Sequence, residues 1–426
     1  MTLVAGEGGI TLVTQYYPPE RGAAQVRLGS IVADLVARGH EVDVVTALPN
    51  YPLGRIFEGW RRRPVQSRRE QGAVVRRVWV WAAMGSGVSR MVNYGSFGVM
   101  SLLGLAGARR SRWVVVEYPT LFGALPAVLV ARARGQQVAV IVADLWIDSI
   151  VEMGTLPDGR LIELLRRAER WMLRRADAVT AVTDGVRDAL VAKGVRQDHL
   201  AWLPNGADTE LFRPASPDTE VRRCLGLADD EQLFLYAGTH GYVHGLDVVL
   251  DAAALLADEP VRFVLVGDGS EKPALRERAA HLGLHNVEFL DPVAPDEVAR
   301  LLTCATAGLA TVREGDVYRT IRSAKALPTM SSGRPVIYSG DDEGARLVGQ
   351  IGSGVVTPPG DAAALADAVR RLAADPRLCE SMGEKGRSWV LDHASWHHLV
   401  GEWLERLDEL DRGAGRAPAG PGRGRR

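Results

Sequence analysis

The 426-residue chain sets 51 Lys and Arg against 52 Asp and Glu, for a formal charge of -1, and 46% of its residues are hydrophobic. That length supports two packed cores rather than one, and the balanced charge removes the global field that draws proteins onto nucleic acid, so no nucleic-acid partner is expected. Cys224, Cys304 and Cys379 stand far apart without metal-ligand spacing, which fits small buried thiols in a reducing compartment.

From the N-terminus, no basic segment leads into an apolar run with a small-residue cleavage site, so a cytoplasmic location is expected. The run "ITLVTQYY" reads as a strand, "AAQVRLGSIVADLVARG" as an amphipathic helix and "EVDVVTAL" as the next strand. Residues 55–77 are rich in arginine and read as a solvated loop. The apolar stretch 91–107, "MVNYGSFGVMSLLGLAG", is shorter than the ~20 residues that span a bilayer. Flanked by arginines, it suits either a helix lying on anionic lipid at the inner membrane face or a core helix beside a charged loop. The strands "WVVVEY", "QVAVIVADL" and "AVTAVT" follow. A second series then opens with "LFLYAGT" and runs through "VRFVLVGDG", "NVEFLDP", "AGLATV" and "RPVIYSG", with helices between them.

β-branched runs alternating with helices describe wound parallel sheets. Two series imply an N-terminal domain over 1–205 and a C-terminal domain over 206–394. A terminal helix over 395–411 is expected to return to the first domain, and the Gly/Arg/Pro tail over 413–426 to be disordered. Ligands of open α/β sheets bind beyond the carboxyl ends of the strands, so the site is expected in a cleft where the two domains face each other.

Such sheets also serve dinucleotide-binding oxidoreductases, which need G-x-G-x-x-G at the first strand-to-helix turn. Here "GEGG" precedes the first strand, and Gly267-Asp268-Gly269 is followed by Lys272 where a third glycine would fall. That class is excluded, as is a Walker phosphate loop. The turns do offer backbone N–H groups to an anion. Gly22, Ala23 and Ala24 open one helix, and Gly267 and Gly269 open another.

The stretches "YYPPERGAAQVRLGSIVADLVARGHEVDVVTALPNYPLG", "ADLWIDS", "RRADAVTAVTDGVRDAL", "LPNGADTELFRP", "YAGTHGYVHGLDVVLDAAALL", "FVLVGDGSEKPALRERAAHLGLHNVEFLDPV" and "SSGRPVI" resemble glycosyltransferase family 4. These are retaining nucleotide-sugar transferases of the GT-B fold, and the likeness is to the branch with bacterial envelope-polysaccharide amino-sugar transferases. The resemblance implies an α/β protein of two Rossmann-like doubly wound domains facing a central cleft. It places Gly22 and Ala23 near the sugar diphosphate, and Thr239, Gly241, His244 and Gly245 in the first C-domain turn. Gly267, Gly269 and Glu271 would lie under the nucleoside, Phe289 and Leu290 in the segment beside the base, and Lys325 before the family's glutamate helix.

The sequence departs from that family pattern in two places. Thr239 and His244 stand where many relatives carry an arginine and a lysine. Counting back from "SSGRPVI", the paired glutamates fall on Thr320 and Pro328. A ribose diol thereby loses a charge-assisted acceptor of about 1.5–3 kcal/mol. Glu314 and Asp316 just upstream are the candidate replacements, and Arg313, Arg319, Arg322 and Lys325 gather positive charge suited to a diphosphate. Pro328 is compatible with a helix that starts near Lys325, since first-turn N–H groups have no intrahelical partner.

Asp144, ending the strand of "VADLWIDS", is the N-domain candidate for the donor sugar or the acceptor, while Glu117, Asn50 and Tyr51 are candidates for the acceptor side. No D-x-D motif ends a strand, and no metal or other cofactor beyond the nucleotide-sugar co-substrate is expected. The leading expectation is a retaining hexosyl or N-acetylhexosaminyl transferase with a UDP-linked donor and a lipid-linked or small-molecule acceptor. A catalytically silent GT-B partner subunit is the alternative, with a nucleotide-sugar epimerase third.

Overall fold

The computed structural model describes residues 8–414 apart from 21, 52, 84–87, 119–120, 146, 149–150, 152–158 and 320–321. The chain divides into two compact units, one of residues 1–204 and 399–426, the other of 205–398.

In the first unit the strands are β1 (Ile10–Val13), β2 (Val42–Ala47), β3 (Val65–Glu70), β4 (Ala73–Val78), β5 (Trp113–Glu117), β6 (Gln137–Val142), β7 (Ala178–Ala181) and β8 (Leu200–Trp202). They form one sheet in the order β3-β4-β2-β1-β5-β6-β7-β8, parallel except for the β3–β4 hairpin. Ile10 pairs with Val42 on one side and Trp113 on the other. The central strands are buried throughout, which is why they read as unbroken β-branched runs. The arginine-rich loop expected over 55–77 holds for the irregular, exposed part before Val65, and the hairpin corrects the rest. Its turn is made by Gln71 and Gly72 at positive φ, and Arg76 and Arg77 point inward, paired with Asp43 and Glu70.

The helices of this unit are α1 (Ala23–Ala37), α2 (Val88–Gly107), α3 (Leu121–Ala133), α4 (Arg160–Arg175) and α5 (Asp184–Ala192). On α2, Gly98 and Gly104 explain the glycine content of the apolar stretch. A Cβ on Gly98 would lie 2.2 Å from the Phe122 carbonyl oxygen of α3, and one on Gly104 would lie 2.6 Å from Val45. One face of α2 is therefore core, while Val92, Val99, Leu102 and Leu103 remain exposed on the other. Among the described residues no helix is long and apolar enough to cross a membrane.

The second unit carries β9 (Gln232–Ala237), β10 (Val261–Val266), β11 (Val287–Leu290), β12 (Ala305–Thr311), β13 (Val336–Ser339) and β14 (Gly354–Thr357) in the all-parallel order β11-β10-β9-β12-β13-β14. Its helices are α6 (Thr219–Cys224), α7 (Asp247–Leu255), α8 (Lys272–His281), α9 (Pro295–Cys304), α10 (Ala326–Ser331), α11 (Glu343–Ile351), α12 (Ala362–Ala374) and α13 (Pro376–His393). Asp218, Asp342, Asp361 and Asp375 cap four of them by accepting first-turn N–H groups. Cys304 is buried as expected, but Cys224 is exposed on α6 and Cys379 is half-buried.

The last helix, α14 (Trp396–Ala414), runs three residues past the expected end, and its part from Leu399 onward belongs to the first unit. Leu399, Val400, Trp403 and Leu407 are buried there. The Trp403 indole donates to the Thr180 hydroxyl at 3.0 Å, and Arg112 and Gln137 both bond Asp411. The rest of the expected tail, 415–426, lies outside the described residues.

Each sheet reverses its winding beside its first strand: β1 lies between β2 and β5, and β9 between β10 and β12. At such a switch point the loops leaving adjacent strands run in opposite directions and open a crevice.

Candidate active site

In the second unit, the loops after β9 and β12 meet at the switch point. β9 leads into Gly238, whose φ of 158° and missing side chain let Lys325 pass across it; a Cβ there would stand 2.2 Å from Lys325 Cε. The Lys325 ammonium lies 3.3 Å from His244 Nε2 and 5.2 Å from the centroid of the Tyr236 ring. Among the described residues no carboxylate pairs with it. Burial lowers its pKa to about 8. Burial first, and Lys325 second, lower His244 to about 3, so the imidazole is neutral. Thr239 gives its carbonyl to the Tyr236 hydroxyl, Gly241 accepts from the His244 N–H, and Gly245 turns the chain into α7 with φ 53°.

His240, which sequence reasoning passed over, is fully buried in the same loop, and among the described residues neither ring nitrogen meets a hydrogen-bond partner. Its ring centroid is 6.1 Å from that of Phe289. Burial, then Lys272, lower its pKa to about 4.

Gly267 and Gly269 have a reason other than the expected approach of a ligand. A Cβ on Gly267 would sit 1.9 Å from the Gly238 carbonyl oxygen, and one on Gly269 would sit 2.3 Å from that of His240. The loops after β9 and β10 are packed backbone to backbone, with the His240 N–H donating to Asp268 and the Glu271 N–H to His240. Lys272 locks this joint. Its buried ammonium donates to the carbonyls of Gly267 (2.7 Å) and Leu290 (3.0 Å) and to Asp291 (2.8 Å). Phe289 and Leu290 are partly buried at the end of β11, and Arg276 lies over the Phe289 ring.

The charged loop after β12 divides into bound and outward parts. Arg313 is committed to Asp247 (2.6 Å), the Tyr242 carbonyl (2.7 Å) and the Tyr242 ring, and Arg319 to Asp316 (3.2 Å). Arg313 thereby braces the loop, while the Arg319 pair is exposed; Arg322 lies over the Trp389 ring with its guanidinium carbon 5.6 Å from the centroid. Glu314 and Asp316 are both exposed, and Asp316 faces Arg319. Thr320 lies outside the described residues. Pro328 is the third residue of α10, in its first turn, where the ring removes no helical hydrogen bond.

In the first unit the crevice after β1 and β5 is closed from within. Glu117 is 3% exposed, accepts from Arg27 at 2.9 Å and from the Thr14 hydroxyl at 2.6 Å, and so joins β5, β1 and α1. Its expected place on an acceptor surface is corrected accordingly: the geometry makes it an internal tie. Asn50 is also buried, donating to the Leu48 carbonyl, while Tyr51 is partly exposed with its ring centroid 5.4 Å from that of Tyr16. Gly22 caps α1, where a Cβ would meet the Gln25 carboxamide at 2.5 Å, and Ala23 begins the helix. Asp144 is exposed in the bend beyond β6.

Glu20 was not read from the sequence. Its carboxylate, 4% exposed, accepts the backbone N–H groups of Asn50 and Tyr51 at 2.8 Å each and of Tyr17 at 3.3 Å. Burial dominates those bonds and raises its pKa to about 7. The "PPERG" turn signalled a loop, but a carboxylate closing it on residues 30 positions away leaves no local mark.

The glycosyl transferase 4-like domain profile matches residues 22–206, and that of glycosyl transferases group 1 matches 231–375. WcaI of Escherichia coli (strain K12), assigned to glycosyl transfer in colanic acid biosynthesis, is 30% identical over 317 residues, covering 70% of this chain and 75% of WcaI. The GDP-mannose-dependent alpha-(1-6)-phosphatidylinositol monomannoside mannosyltransferase of Mycolicibacterium smegmatis is 26% identical over 410 residues, 90% of this chain and 94% of that one. Among solved structures, sucrose-phosphate synthase from Thermosynechococcus elongatus superposes with a TM-score of 0.70 at 20% identity, over 96% of this chain and 99% of that one. Anabaena HepE in complex with UDP and glucose gives 0.67 at 16%, over 96% and 100%. Two family profiles spanning more than half the chain, with a relative sharing 30% identity over most of its length, show that the protein belongs to glycosyltransferase family 4 and is a glycosyltransferase of the GT-B fold.

Proposed function

We propose that the protein is a retaining transferase that moves a hexosyl or N-acetylhexosaminyl group from a UDP-linked donor to a lipid-linked or small-molecule acceptor at the cytoplasmic side of a membrane. The observation that carries this reading is Lys325: a half-buried cation with no carboxylate partner among the described residues, set against the bare backbone of Gly238 at a switch point. A lysine so placed is matched to an anion that arrives and leaves with the substrate. HepE, solved with UDP and glucose, and the M. smegmatis GDP-mannose-dependent enzyme are similar proteins whose ligands are sugar nucleotides or their parts, which supports the donor class.

In this reading Lys325 and Arg322 meet the charge that grows on the diphosphate as the glycosidic bond opens. The acceptor attacks from the face the diphosphate leaves, and a phosphate oxygen takes its proton. Asp144 is proposed to orient the acceptor or donor sugar, with the partly exposed Tyr51 on the acceptor side; Asn50, as buried as Glu117, supports the loop from within. Thr239, Gly241, His244, Gly267, Gly269, Phe289 and Leu290, together with Gly22 and Ala23, form the proposed donor surround. Glu314 or Asp316 would reach the ribose only by turning inward from its exposed position.

A silent partner subunit is the second reading, favoured by Pro328 at the ribose glutamate position. Thermal shifts with UDP, GDP, TDP and ADP, followed by turnover of the matching sugar nucleotides in the presence of a chelator, separate the two. A shift with UDP and transfer that keeps the anomeric configuration are expected. No shift with any nucleotide overturns the donor site, and turnover that only changes the sugar's stereochemistry points to an epimerase.

A further inference from the structure

Helix α4, "RLIELLRRAERWMLRR", buries Ile162, Glu169, Met172 and Leu173 and leaves a broad outer face. Leu161 is 59% exposed, Leu164 62% and Trp171 41%. These three positions follow one another at helical spacing on one edge of the face. Arg160, Arg167 and Arg174, one every seven residues, run beside them and are also exposed. Three large apolar side chains left in water on one short helix are an unusual concentration for a surface.

The charge on this face is one-sided. The helix has six arginines and two glutamates, and Glu169 is turned inward, bonded to Lys193 and Tyr118. Among the described residues, Glu163 opposes the arginines from the outer face, paired with Arg167 and Arg170. Nearby Asp148 pairs with Lys193 at 2.7 Å and, more distantly at 3.9 Å, with Arg166 on the flank of α4, and Asp177 is taken by Arg132. Arg132 also donates to the Arg175 carbonyl, which brings the end of α3 alongside the end of α4. Leu129, one turn earlier on α3, is 48% exposed.

We infer that the outer face of α4, continued by Leu129 of α3, seats on an anionic lipid surface. Leu161, Leu164 and Trp171 enter the interfacial layer while Arg160, Arg167 and Arg174 remain at the level of the headgroup phosphates, their long stems lying along apolar surface. Trp171 fits that boundary because its indole has an apolar body and a polar edge. An acidic protein would match the arginines but leaves the apolar row without a reason, and a second copy of the chain would set like charges against each other. The inference deepens the lipid-linked reading of the acceptor and rests on it for its purpose, though not for its geometry.

The test is co-sedimentation of the full chain with phosphatidylglycerol–phosphatidylcholine vesicles, with pure phosphatidylcholine as the neutral arm. Wild type is expected to sediment with the anionic vesicles and to be released by salt. The pair Arg167→Glu and Arg174→Glu should lower that binding about tenfold or more, as should the pair Leu164→Ser and Trp171→Ser. All four positions are exposed, so unchanged thermal midpoints are expected and separate lost docking from lost folding. Variants that bind like wild type, wild-type binding that ignores lipid charge, or a dimer in sedimentation equilibrium that these substitutions dissociate would each overturn the assignment. Sugar-nucleotide turnover measured without lipid reads the transferase proposal independently: turnover without vesicle binding overturns this inference alone.

Discussion

The two units close their strand-end loops with opposite charges. In the first, the Glu20 carboxylate gathers three backbone N–H groups and holds the loop at Asn50 and Tyr51 to the turn after β1. In the second, the Lys272 ammonium gathers two carbonyls and Asp291, and Lys325 lies across Gly238. The difference teaches what each crevice is suited to hold. A buried acid repels a phosphate and favours hydroxyls, whereas a cation with no carboxylate beside it among the described residues favours an anion, as the proposed donor and acceptor sides require.

Removing the second unit's clamp is the largest way to break this comparison. Lys272→Met should cost about 3 kcal/mol or more in a urea melt, because the Gly267 and Leu290 carbonyls lose their shared donor while buried. The exposed Asp291 end of the ion pair contributes little of that.

The first unit's clamp should show itself through pH. The folded pKa of Glu20, about 7, exceeds the 4.5 of an ordinary glutamate, so the folded state binds its proton more tightly than the unfolded state. Stability is then fully present below about 4.5 and falls as pH rises through about 7, by on the order of 3 kcal/mol. Glu20→Gln should flatten that slope, and an unchanged slope would place the titrating group elsewhere.

Lys325→Ala tests the open cation and not a clamp. UDP affinity by calorimetry should drop by about 10- to 100-fold, the value of one charge-assisted contact, with the thermal midpoint retained. For wild type, affinity should be level below about pH 8 and decline above it, as Lys325 loses its proton. The smallest effect concerns the absent ribose acceptor. Pro328→Glu in the first turn of α10 should tighten UDP binding several-fold relative to 2′-deoxy-UDP, roughly the lower end for a charged hydrogen bond; equal gains for both would show that no ribose contact was restored.

Much of the fold was legible in the sequence because parallel strands buried on both faces are written as contiguous β-branched runs, and the helices between them carry their period openly. β1, β2, β5 to β7 and the strand series from β9 to β13 were read this way. The β3–β4 hairpin was not, since Arg76 and Arg77 look solvent-seeking until Asp43 and Glu70 are brought to them. The site divides along the same line. The glycine turns could be named from their places at strand ends, and Lys325 from the family resemblance. Glu20, His240 and Lys272 could not, and Glu117 was assigned to the surface although it is inside.

By itself, then, the sequence determined the alternation of strands and helices and the places where loops leave the strands, which are properties of neighbouring residues. Tertiary structure alone decided which charges are spent. Arg313 finds Asp247 across 66 positions, Glu117 finds Arg27 across 90, and Lys325 meets His244 across 81 with no carboxylate among the described residues to neutralise it. A charge's availability depends on its partners and its burial, and both are set by which chain segments the fold brings together.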